Sequence, residues 1–84
     1  MSPAAILDEL TTLFRTTLRQ PELVLNRNTT ANHVEGWDSL NHAILLSEVQ
    51  KHFGLRFSVK EVITLKTVGE LVDLVAQKQA ASGN

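Results

Sequence analysis

Serine, aspartate and histidine are the residue types here that could do chemistry, and they crowd one region. Ser39 follows Asp38 in the stretch EGWDSLNH, Glu35 to His42, with His33 just before it and His52 further on. A serine near a histidine invites a nucleophile–base pair. However, the chain has no Gly-x-Ser-x-Gly elbow, no evident oxyanion hole, and at 84 residues too little length to enclose a substrate. Metal ligation fares no better: the three histidines share no helical face, and there is no cysteine to join them. His42 falls on the core side of its helix's first turn, which suits a packed or capping role. What remains is a serine at the mouth of a helix. Asp38 is a good N-cap, which leaves Ser39 in the first turn with its hydroxyl near solvent. Those two residues alone read simply as favourable helix-start chemistry. A helix N-terminus also offers unpaired N–H groups and the positive end of a dipole, where phosphate charge is stabilised.

The elements that must position this serine are legible on either side. Ser2 can cap a first helix with Pro3 at its first position, and Ile6, Leu7, Leu10, Leu13, Phe14 and Leu18 recur at helical spacing. Gln20-Pro21 should end it. From Gln20 to Trp37 no periodicity holds. The segment is rich in Asn, Thr and Gly, with Leu23, Leu25, Val34 and Trp37 as expected anchors of an ordered loop. A second helix is expected from about Asp38 to Phe53, closed by Gly54 in a left-handed cap with Leu55 folding back. Ser58 to Glu61 reads as a capping box opening a short helix with Val62 and Ile63, and Leu65 near its end. Thr67 to Glu70 reads as a second box, opening a last helix with Val68, Leu71, Val72 and Val75 on one face. The expected fold is all-α: an antiparallel bundle of three long helices and one short one, with a long first loop. The domain is expected to span 1–79, with residues 80–84 as a frayed tail.

The second helix carries two apolar faces. At about 100° per residue, Leu45, Leu46, Val49 and Phe53 form a core stripe, closed by a buried Phe53. Leu40 and Ile44 lie opposite, with Ser47 and Lys51 continuing the row. Two apolar residues a turn apart beside the serine hint at a docking surface, unless the first helix or the loop covers them.

Composition narrows the class. With no cysteine, neither a disulfide nor a zinc knuckle can staple the fold, and thiol chemistry would need an added group. No apolar run reaches the length of a membrane span, and the N-terminus lacks a signal pattern, so the expected compartment is the cytoplasm. Residues 20–50 carry a net charge of -3 and residues 51–66 a net of +3, while the whole chain is at -1. A DNA reader would want a basic recognition helix, which the second helix is not. A plain helical interaction module fits the composition but leaves the Asp-Ser-Leu placement unexplained.

Gly36-Trp37-Asp38-Ser39-Leu40, set in this frame, resembles the attachment motif of acyl carrier proteins. The resemblance runs from about Ser2 to Lys78 and includes the helix order, the serine's place and the KHFGLRF run after the second helix. It implies that Ser39 bears 4′-phosphopantetheine transferred from coenzyme A by a phosphopantetheinyl transferase. Asp38 and Leu40 then flank the attachment site. It also implies that the protein has no catalytic residue of its own and acts as a monomer. Leu40, Ile44, Ser47 and Ile63 match the family's partner-facing and acyl-pocket region, and Lys51 is also expected to face partners. Partners would be a ligase, transacylase, ketosynthase or acyltransferase of fatty acid, polyketide or related biosynthesis. Peptidyl and aminoacyl carriers share the serine and the bundle and stay open. One departure stands out. Housekeeping fatty acid carriers line the second helix with acids, whereas this helix has Asn41, His42, Gln50 and Lys51, and Glu48 as its one interior acid. A specialised carrier is the expectation.

Overall fold

The computed structural model describes residues 2–81. Among them the chain forms α1 Pro3–Leu18, α2 Ser39–Phe53, α3 Val59–Thr64 and α4 Val68–Ala81. The all-α expectation holds, and an isolated bridge between Thr30 and Thr67 is the one extended pairing among the described residues. α4 takes in Ala80 and Ala81, which the sequence reading gave to the tail; the rest of that tail, Ser82 to Asn84, lies outside the described residues.

The helix ends follow their local chemistry. The Ser2 hydroxyl accepts from the Ala5 N–H at 3.1 Å, and Pro3 loses no bond where it sits. Pro21 disfavours a helical Gln20, and α1 closes at Arg19, whose φ of 56° lets its own N–H and that of Gln20 reach the Arg15 carbonyl. Gly54 takes the left-handed cap of α2 at φ 66°, and Leu55 returns to the Gln50 carbonyl. Both capping boxes form: Ser58 with Glu61, and Thr67 with Glu70.

α1 packs against both α2 and α4. The core between them holds Ile6, Leu10 and Phe14 of α1, Leu45, Leu46 and Val49 of α2, and Val68, Leu71, Val72 and Val75 of α4. Phe53 departs from expectation. It is only partly buried, because the last residue of α2 reaches the rim of the core, where its ring meets His52 edge-on at 4.8 Å.

The long loop is ordered by its own anchors and by α4. Leu25, Val34 and Trp37 are buried, with Leu23 packed against them, and a short 3-10 turn at Ala31–His33 interrupts it. The sequence reading missed that turn, which has no apolar period to announce it. The first turn of any helix presents N–H groups without intrahelical partners. In α4 the loop supplies the acceptors: Val68 N–H donates to the Thr29 carbonyl and Gly69 N–H to that of Arg27, both at 2.9 Å. Gly69 is required by this approach, since a Cβ there would lie 2.8 Å from the Arg27 carbonyl oxygen. Arg27 adds an ion pair to Asp73 at 2.8 Å. The loop is thereby pinned at its middle, and its last residues deliver Trp37 and Asp38 to the start of α2.

Candidate functional site

The mouth of α2 is built from the loop inward. Gly36 turns with φ at +85°, a conformation that favours glycine, and its carbonyl accepts from the Asn41 side chain at 2.6 Å. The Gln20 side chain donates to the neighbouring Glu35 carbonyl, tying the turn to the end of α1. Trp37 then drops into the core, 8% exposed, with its ring edge-on to Phe14 at a centroid distance of 5.0 Å. Asp38 follows as the N-cap, accepting from the Asn41 N–H at 2.8 Å. Ser39, the next residue, is the first of α2 and is exposed.

His42 sits one turn on and is half-buried. Its Nδ1 accepts from the Trp37 indole Nε1–H at 3.0 Å, and its Nε2 lies 2.9 Å from the Val62 carbonyl. One nitrogen must accept and the other donate, which fixes a neutral ring with its proton on Nε2. The Val62 carbonyl is one of the terminal carbonyls that a six-residue helix leaves without intrahelical partners. A single side chain thus ties loop, α2 and α3 together. The reading of His42 as packed and capping holds, whereas its two partners could not be read from sequence.

With both nitrogens engaged, His42 is no general base for Ser39. His33 Nδ1 accepts from the Thr30 N–H in the loop, and His52 pairs with Glu9 across α1 and α2. The three histidines are not brought together.

Beside Ser39 an open groove of about 560 Å³ runs between α2 and α3. Its lining includes Trp37, His42, Ala43, Val62, Ile63 and Leu65. A depression of about 630 Å³ on the loop, around Leu23, Arg27 and His33, lies away from the serine. The expected partner-facing residues are all exposed: Leu40 at 71% and Ile63 at 73%, with Ile44, Ser47 and Lys51. Neither α1 nor the loop covers Leu40 and Ile44. Sequence reading missed Val59, an exposed apolar residue four positions before Ile63 and so on the same side of α3. The Lys51 ammonium lies 3.7 Å from Glu48, so the one interior acid of α2 is countered within its own helix.

Four helices thus present an exposed serine at a helix mouth with an apolar face beside it. Residues 8–75 match the family described as phosphopantetheine attachment site, and the chain belongs to that family. A solution NMR structure of a holo acyl carrier protein from Geobacter metallireducens superposes with a TM-score of 0.85 at 40% identity, over 92% of this chain and 88% of that one. No curated protein matches significantly. The protein is an acyl-carrier-like domain, not itself catalytic, whose prosthetic group is 4′-phosphopantetheine. An unmodified interaction module is thereby set aside. No described helix is long and apolar enough to cross a membrane.

Proposed function

We propose that Ser39 is the attachment point of the arm and that the protein carries acyl groups for dedicated biosynthetic enzymes in the cytoplasm, acting as a monomer. The observation that carries this is the exposed Ser39 at the first position of a fifteen-residue helix, fixed from behind by Asp38 and Trp37. The residues fit the group. No side chain caps the Ser39 hydroxyl among the described residues, and the helix N-terminus with its free N–H groups stabilises the charge of a phosphodiester. When bound, the arm supplies a terminal thiol that holds the acyl group as a thioester. Asp38 keeps the first turn in place, and Trp37 stops the attachment point from swinging with the loop.

Leu40, Ile44, Ser47 and Ile63 are the residues proposed to meet partners, namely the phosphopantetheinyl transferase and the ligase, transacylase, ketosynthase or acyltransferase that load and use the cargo. Their exposure and position around Ser39 support this reading. An acyl rather than aminoacyl cargo is supported by the 40% identity to an acyl carrier protein. The Lys51–Glu48 pair leaves the outer face of α2 without a free interior acid, which supports service to a dedicated enzyme set over the general fatty acid machinery.

The test is incubation with coenzyme A and a broad-specificity transferase, read by intact mass and peptide mapping. The expected result is one phosphopantetheine on Ser39 and none on Ser39→Ala, whose helical circular dichroism stays unchanged. An arm on another residue, or an alanine variant that unfolds, sinks the assignment.

A further inference from the structure

The groove beside Ser39 has an unusual inner wall. Its mouth is formed by the exposed Ala43 and Ile63, but behind them stand Trp37, His42 and Val62, which are joined by the two hydrogen bonds through the His42 ring. The space beyond is already filled by side chains such as Leu45, Leu46 and Phe14, each no more than 1% exposed. A hydrocarbon chain lying in the groove meets the wall after the mouth. To go deeper it must part α3 from α2 at His42. That would leave the Trp37 indole N–H and the Val62 carbonyl facing alkyl groups, and an unpaired polar group against hydrocarbon is costly.

Resting on the reading that the arm is on Ser39, we propose that His42 is a positioning residue that limits cargo: by latching α3 to α2 it restricts the groove to short acyl groups, and long chains stay outside in solvent. α3 itself supports a latch of this kind. It spans only six residues and contributes no fully buried side chain, so few other contacts hold it against α2. The ion pair from Lys78 to Glu61, at 3.0 Å, ties it to α4 instead.

The experiment loads butyryl or dodecanoyl phosphopantetheine onto the full chain from the matching acyl-coenzyme A. It follows thioester cleavage by hydroxylamine, together with the Trp37 indole N–H resonance. In the unaltered protein the butyryl thioester, held in the groove, should be cleaved several-fold more slowly than the dodecanoyl one, and the dodecanoyl chain should leave the indole resonance where the unacylated arm leaves it. In His42→Leu, which keeps the wall apolar and removes both bonds, cleavage of the dodecanoyl thioester should slow by about tenfold while the butyryl rate holds. Trp37→Phe, which removes only the indole donor, should slow it by an intermediate factor and serves if the leucine variant does not fold. A dodecanoyl thioester protected in the unaltered protein, with a displaced indole resonance, overturns the inference while leaving Ser39 as the carrier site. A long chain as exposed in both variants as in the unaltered protein overturns it too. Failure of any arm to load overturns the underlying assignment instead.

Discussion

Phe14 and Phe53 make opposite demands on the fold, and replacing each by alanine separates them. Phe14 is fully buried, and its ring packs perpendicular to that of Trp37. Phe→Ala in a core costs about 3–5 kcal/mol through lost transfer energy and the cavity left behind. The edge-to-face pair with Trp37 adds to what is lost, so Phe14→Ala belongs toward the upper end. At roughly 0.05–0.15 kcal/mol per residue, a chain of this length has a total stability of about 4–13 kcal/mol. Phe14→Ala should therefore remove a third or more of it, or lower Tm by at least about 12 °C at about 4 °C per kcal/mol. Phe53 is only partly buried at the rim. Full burial of such a side chain is worth about 1.5–3 kcal/mol, and a partly buried ring should yield about 1 kcal/mol. Urea titrations followed by far-ultraviolet circular dichroism measure both; Trp37 emission is a poor probe, since removing Phe14 changes its surroundings directly. At a temperature where both variants are folded, Phe14→Ala should also slow transfer of the arm to Ser39, because it loosens the anchor behind Asp38, whereas Phe53→Ala should not. Equal losses from the two substitutions would refute the burial argument, and unchanged loading in a folded Phe14→Ala would refute the link from core to site.

Acid should weaken the hold on α3. The Glu61 carboxyl sits below its ordinary range, chiefly through the Ser58 backbone N–H it accepts and then through Lys78. A group whose folded pKa is depressed contributes stability above its unfolded value and loses it as pH falls toward the folded one. The advantage of the unaltered protein over Glu61→Gln should thus be full at neutral pH and shrink below about 4.3, read by thermal melts across pH; a gap constant into acid would refute it. For partner choice, malonyl transfer by a housekeeping transacylase to the holo-protein should fall well short of that to an acidic housekeeping carrier, and acids placed at Asn41 and Lys51 should restore it in part. Equal transfer at physiological salt would sink the specialised reading.

Much of this was legible because the signals are local. Ser2, Asp38, Ser58 and Thr67 each cap a helix through a bond three residues away, so their spacing alone announces it. The stripe of α4 buries the residues its period picks out, and that of α1 buries Ile6, Leu10 and Phe14, with Leu7, Leu13 and Leu18 partly buried beside them. What escaped depends on contacts between segments far apart. Gly69 looks like a poor choice near the start of α4 until the Arg27 carbonyl is set against it. His42 shows its sidedness in the helical period, but its partner Val62 is 20 residues away, and nothing in either neighbourhood names the other. Phe53 was misjudged for a related reason: periodicity gives the face of a helix but not where along it the neighbouring helix ends.

These long-range contacts bear directly on why a serine stands at this helix mouth. A carrier must hold its attachment point still and yet leave it bare, and those demands conflict in a small domain, where what is held still is usually buried. The conflict is resolved by dividing the two between adjacent residues. Trp37 is 8% exposed and anchored on Phe14, Asp38 binds the first turn, and Ser39 is left in the open one residue later. Immobility reaches the serine through the backbone rather than through contacts of its own. If Ser39 is the attachment point, as proposed, its side chain is open to modification without disturbing the packing behind it. The same division applies to α3, which turns Val59 and Ile63 outward and relies on His42 and Lys78 for its position. The face proposed to meet partners is thus kept free of the residues that hold the fold together.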